Sequence, residues 1–200
     1  MRLGATTDHD QLRTDGGAQA ANTNMLDGDV AVVTGSSRGM GRATAERLAA
    51  DGASVVVNYV SSEDAAQEVV ERIEADGGEA IDVQADVSEA SDVERLFVEA
   101  ADTCGQPNTV VNCAGTTVFA PLAETTEEEF DRMFALNAKG TFLVLREAAK
   151  RIADGGCIVD FSSAGTTGPN GGDGAYLGGK AAGEISHKHL RKNSVSAVSG

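Results

Sequence analysis

The chain lacks any apolar run near the ~20 residues that a membrane span requires, so it is not expected to cross a bilayer. The first 24 residues also lack the apolar centre of a signal peptide, which makes the cytoplasm the expected location. Basic residues are scarce: 16 Lys and Arg stand against 31 Asp and Glu, for a net charge of -15. A surface this negative repels phosphate backbones and anionic lipid, so neither nucleic acid nor a membrane is an expected partner. The acids form no block and read as a solvated surface. Cysteines are few. Cys104, Cys113 and Cys157 make no C-x-x-C pair and no metal-ligand spacing. Each is expected to act as a small buried apolar residue in a reducing compartment. The three histidines, His9, His187 and His189, lie towards the polar ends of the chain, read as surface residues, and give no metal site.

What remains is a globular composition, 41% hydrophobic over 200 residues, enough for one sizeable core. Residues 1–24 hold only Leu3 and Leu12 as sizeable apolars after the initiator and read as a disordered tail. The organised domain is expected over residues 25–200. There, short apolar runs alternate with helical periodicity. Val30 to Thr34 predicts a first strand, Ser54 to Asn58 a second, Ala80 to Gln84 a third, Val110-Val111 a fourth and Cys157 to Phe161 a fifth. Ala66, Val69, Val70 and Ile73 fall at i, i+3, i+4, i+7, as do Val93, Leu96, Phe97 and Ala100. Gly77-Gly78 closes the first of these helices, and Gly105 with Pro107 the second. Thr126 to Glu129 is a capping box opening a helix through Phe130 and Phe134, and a separate helix is expected from about Ala138 to Ile152. Strands alternating with helices imply βαβ units, a parallel sheet and helices on both faces. The expected fold is a doubly wound α/β domain, whose ligands bind beyond the carboxyl ends of the strands.

The first strand runs directly into T-G-S-S-R-G-M-G, Thr34 to Gly41, where a helix opens. Gly35 permits a tight turn, while Gly39 and Gly41 let the backbone approach a pyrophosphate and the helix pack on the sheet. The helix start offers free N–H groups and partial positive charge to phosphate, through Ser37, Arg38 and Met40 as well as the glycines. A dinucleotide is therefore the expected ligand. An acid at the end of the second strand would hold a ribose 2′-hydroxyl and exclude a 2′-phosphate. This strand ends instead in Asn58-Tyr59. Arg38, helped by Asn58 and Ser61, suits a 2′-phosphate, so NADP(H) is the expected cofactor, with NAD(H) as the alternative.

Further on, Tyr176 and Lys180 stand four apart at the start of a predicted helix, on one face. A phenol ionises near pH ~10, so at neutral pH it makes a poor base unless a fixed positive charge favours the phenolate. An ammonium one turn away and a nicotinamide ring supply such charge and suit the phenol to proton transfer with a carbonyl or alcohol.

The Thr34–Gly41 turn, Leu26-Asp27-Gly28, N-C-A-G at Asn112 to Gly115, L-N-A-K-G from Leu136, F-S-S from Phe161 and Y-L-G-G-K from Tyr176 occur in one order. Together they resemble short-chain dehydrogenases/reductases of the classical type, in the branch of 3-oxoacyl-carrier-protein reductases and glucose dehydrogenases. The likeness runs from about Leu26 to Glu184. It implies a Rossmann-type, three-layer α/β/α fold with strand order 3-2-1-4-5-6. It also implies an oxidoreductase that moves a hydride between NADP(H) and a small carbonyl or secondary-alcohol substrate. By the same likeness Tyr176 is the general acid/base, and Lys180 holds the nicotinamide ribose. Ser163 polarises the substrate oxygen, and the Asn137 backbone positions a water. Asp86 and Val87 hold the adenine, and Asn112, Ala114 and Gly115 line the nicotinamide ribose.

After Glu184 the pattern departs. The stretch from Lys180 to V-S-A-V-S-G, Val195 to Gly200, is short by roughly two helical turns against the family. The family's V-N-A-x-x-P-G proline, substrate lid and last strand are missing. Eleven of the 24 glycines fall from Gly155 onward, and Gly178, Gly179 and Gly183 inside the Tyr176 helix each cost ~1 kcal/mol against Ala. A sixth strand is thus expected at a sheet edge, and the family's homo-oligomer is doubtful here. A dinucleotide-binding remnant without turnover is the alternative function.

Overall fold

The computed structural model describes residues 25–168, 171–190 and 196–199. The expected tail at 1–24, with His9, lies outside them. The described residues form one α/β unit. Its strands are β1 Val30–Thr34, β2 Ser54–Tyr59, β3 Glu79–Gln84, β4 Thr109–Asn112, β5 Cys157–Asp160 and β6 Ser196–Ser199. They make one parallel sheet in the order β3-β2-β1-β4-β5-β6, the expected doubly wound order with β6 at the edge.

Alternation along each strand divides the core between two faces. Ala31, Val33, Val55, Val57 and Val111 pack with α1 (Gly39–Ala50) through Ala45 and Ala49, and with α2 (Glu63–Ala75) through Ala66, Val69 and Ile73. On the other face Val32 and Val56 meet Leu96 and Ala100 of α3 (Ala90–Thr103). Val110 and Ile158 there meet Phe97 and the Val144, Leu145 and Ala148 row of α5 (Thr141–Arg151). Each fully buried valine contributes roughly 1.5–3 kcal/mol relative to exposure. No helix among the described residues is long and apolar enough to cross a membrane.

Four expectations need correction. The helix opened by Thr126 and the one expected from Ala138 are a single continuous rod. Here α4 (Glu127–Phe134) passes through a π-helical segment, Ala135–Gly140, straight into α5. His187 is not on the surface: it is 2% exposed on α6 (Gly174–Lys188), and among the described residues neither ring nitrogen has a hydrogen-bond partner. The glycines of α6 are not merely weak helix formers. Cβ atoms at Gly179 and Gly183 would stand 3.1 Å from Asn137 Cβ and 2.9 Å from Thr141 Cγ2. Their absence lets α6 lie directly on the π segment. The three thiols are free and only half-buried rather than fully buried.

Candidate active site

The turn after β1 is built as its glycines suggest. Gly35 has φ +62° and Gly39 φ +58°, the left-handed region in which a side chain is strained. A Cβ on Gly35 would stand 2.8 Å from the Ala114 Cα, and one on Gly41 2.5 Å from the Gly35 carbonyl oxygen. The turn is thus pressed against both the loop after β4 and its own helix. No side chain caps α1, and its first turn carries no acid, whereas α2, α3 and α4 each begin with acids. In a chain of net charge -15, this helix start is left open to an anion.

A cleft opens beside it at the carboxyl end of the sheet, lined by the expected residues Gly35, Ser37, Arg38, Ser61, Val87, Ala114 and Gly115. Arg38 and Ser61 are both exposed at its rim. Tyr59, Val60, Ser62, Cys113 and Leu136 line it too and were missed; each adjoins a residue the motifs did single out. Met40 is 64% exposed and lies instead with Leu48 and Phe161 in an apolar hollow. Asp86 Oδ1 accepts from the Ser88 backbone N–H and hydroxyl, which fixes the loop that carries Val87.

Two asparagines expected at the cofactor have other work. Asn58 is 1% exposed and borders the cleft, but its Oδ1 accepts from Gly35 N at 3.1 Å and its Nδ2 donates to Val83 O and Ala85 O. Its amide is spent bracing the turn against β3 rather than on a phosphate. Asn112, also 1% exposed, donates through Nδ2 to Asp160 Oδ1 at 2.8 Å and Thr141 Oγ1 at 3.1 Å. Its Oδ1 accepts from Thr34 Oγ1 at 2.6 Å. Asn112 therefore ties β1, β4, β5 and α5 together, and its side chain does not line the cleft.

Two of the expected catalytic residues, Asn137 and Lys180, meet beside that knot. Asn137, fully buried in the π segment, clamps the loop after β4: Nδ2 donates to Thr116 O at 2.7 Å, and Oδ1 accepts from Thr116 N at 3.1 Å. π segments often mark functional sites. Lys180, 7% exposed, donates from Nζ to Phe161 O at 2.7 Å. A Cβ on Gly115 would stand 3.0 Å from Asn137 Oδ1 and 3.4 Å from Lys180 Nζ, so cleft, π segment and lysine meet at that glycine. Burial pulls the Lys180 ammonium below its ordinary value, against the opposing charge of Asp160. Tyr176 lies half-buried one turn earlier on α6, on the same face as Lys180. Ser162 donates to Glu184 Oε2 at 3.4 Å, while the neighbouring Ser163 only caps a short turn, accepting from Gly165 N at 3.3 Å. Ser163 is thus the freer hydroxyl of the pair, though among the described residues no hydrogen bond joins it to Tyr176. Burial pushes the Cys113 thiol up to about 11, so it stays protonated at neutral pH.

The family model for short chain dehydrogenase matches residues 29–196. The chain belongs to this family. Among similar proteins, Elsinochrome reductase 1 of Elsinoe fawcettii is 52% identical over 70% of this chain and 53% of its own length. A hydroxynaphthalene reductase-like protein of Metarhizium guizhouense is 42% identical over 86% of this chain and 68% of its own. This chain spans about half the length of Elsinochrome reductase 1 and of several other curated relatives that it matches. Among solved structures, the landomycin C-6 ketoreductase LanV with bound NADP and rabelomycin superposes with a TM-score of 0.81. It is 38% identical, over 88% of this chain and 76% of that one.

Proposed function

We propose that the chain binds NADP(H) in the cleft beside the Thr34–Gly41 turn and reduces a carbonyl, or oxidises the corresponding secondary alcohol. The observation that carries this reading is the meeting of the cleft with Lys180 and Asn137 at Gly115. The open, acid-free start of α1 suits the pyrophosphate, and Arg38 with Ser61 suits a 2′-phosphate. The NADP bound in LanV supports the same choice. When bound, the nicotinamide donates or accepts the hydride. Lys180, anchored to Phe161 O, holds a positive charge one turn from the Tyr176 phenol, which favours proton release from that oxygen. Tyr176 gives the proton to a carbonyl oxygen or takes it from an alcohol. Ser163 steadies the substrate oxygen, and Asn137 keeps the loop after β4 and the π segment in register beneath it.

On the substrate side, Phe119 and Leu122 are 75% and 74% exposed on the loop between β4 and α4. That loop is fastened to the approach of α6 by the Ala120 N–H donating to Gly172 O at 2.9 Å. An apolar, aromatic ketone fits these side chains, and the hydroxynaphthalene in one relative's name supports the same class. The test is NADPH oxidation with a panel of activated ketones that includes 1-tetralone. Turnover that vanishes in Tyr176→Phe is expected. NADPH binding without turnover on any ketone would favour the second reading, a dinucleotide-binding chain without catalysis.

A further inference from the structure

Lys180 is a buried ammonium without an ion-pair partner: among the described residues no carboxylate lies within 4.0 Å of it, and its hydrogen bond is to the neutral Phe161 carbonyl. An isolated buried cation sheds its proton unless a compensating charge is near. The groups around it are few. On its own helix, Tyr176 is one turn before it, and Glu184 one turn after is already bound to Lys188 at 2.7 Å and to Ser162. His187 is buried further along α6, and Lys139 of the π segment turns outward to Glu89. From the loop just after β4 comes Cys113, a protonated thiol, and from β5 comes Asp160.

Asp160 is 4% exposed, in the residue just before the carbonyl that holds Lys180. It faces the same side of the sheet as Asn112, its register partner, whose amide donates to it. That amide also donates to Thr141, against which Gly183 of α6 is pressed. One buried polar network therefore runs from the end of β5 to Thr141 of α5, and the helix that carries Lys180 packs on that residue at Gly183. Resting on the reading of Tyr176 and Lys180 as the proton-transfer pair, we propose that Asp160 is a positioning residue. Its buried carboxylate, fixed by Asn112, is the counter-charge that keeps Lys180 an ammonium beneath the reacting phenol.

The direction agrees with the charges: burial lowers the proton affinity of Lys180, and Asp160 is the first influence that restores it. Neutralising Asp160 must then lower the pH at which Lys180 deprotonates. Asp160→Asn keeps an acceptor for Asn112 and removes only the charge, and Asp160→Ser carries the same test if the first variant does not fold. The chain has five lysines, so 13Cε-lysine NMR on the cofactor-free protein, assigned with Lys180→Arg, reads the Lys180 titration directly. The expected result is a midpoint lowered by about one pH unit or more. The alkaline limb of 1-tetralol oxidation by NADP+ should move down with it. An unmoved Lys180 midpoint in a folded neutral variant overturns the counter-charge, whatever the turnover. A lowered midpoint with an unmoved alkaline limb overturns its link to proton transfer.

Discussion

Replacing Gly183 by alanine sets two effects of similar size against each other. In an exposed helix interior the change adds about 1 kcal/mol of stability, because glycine loses more backbone freedom on folding. Here the new Cβ would stand 2.9 Å from Thr141 Cγ2 and 3.3 Å from the Asn137 carbonyl oxygen. Forcing a methyl into such a contact costs about 1–3 kcal/mol. The net expectation runs from neutrality to a loss of about 2 kcal/mol by those same two figures. α6 must also retreat from the π segment, and Lys180 sits one turn upstream of the collision. Small misplacements of reacting groups are expensive, so ketone reduction should fall on the order of tenfold. Urea unfolding followed by circular dichroism reads the stability change as a shifted midpoint at constant slope. Thr141→Ser deletes the offending methyl and keeps the hydroxyl that accepts from Asn112 at 3.1 Å. In that background Gly183→Ala should become stabilising, a coupling that a double-mutant cycle isolates. Stabilisation of about 1 kcal/mol by Gly183→Ala in both backgrounds alike would refute the close packing of α6 on the π segment.

Two further outcomes follow from the same geometry. His187→Leu should raise the unfolding midpoint, since a buried imidazole with two unpartnered nitrogens carries a desolvation cost of about 1–3 kcal/mol; a lower midpoint would show that the ring has a role the described contacts do not include. Burial raises the proton affinity of Glu147, but hydrogen bonds from Lys150 and Arg151 outweigh it and hold this carboxyl below the usual carboxylate range. Its folded form therefore binds protons less readily than the unfolded one. The stabilisation it gives is present above about pH 4.5 and fades as pH falls through the lower folded value. Glu147→Gln should flatten that part of the stability–pH curve, and an unchanged slope would contradict the assignment.

Much of this was legible in the chain because its signals are local. The alternation of Val-rich runs with i, i+3, i+4 helices sets the parallel sheet and the place of the glycine turn. The conjunction of Tyr176, Lys180 and Asn137 points to the cluster found around Gly115. What escaped depends on contacts distant in sequence. Asn58 and Asn112 lie on strands buried on both faces, where polarity gives no clue to which way an amide turns; only the structure shows each consumed by neighbouring strands. The π segment hides in ordinary helical periodicity, so two helices were expected where one rod passes through Asn137. The glycines of α6 read as weakness because the helix they face is some forty residues away in the chain. His187 did leave a signal: it falls seven residues after Lys180 and four after Gly183, on the packed stripe of α6.

The central claim is that the cleft beside Arg38 holds a 2′-phosphorylated dinucleotide. Calorimetric titration of the chain with NADPH and NADH, repeated on Arg38→Ser, tests it most directly. NADPH should bind more tightly than NADH, and Arg38→Ser should weaken NADPH by roughly 10- to 100-fold with little effect on NADH, the scale of a lost charge-assisted contact. NADH binding as tightly as NADPH, or an Arg38→Ser variant with undiminished preference, would contradict the account.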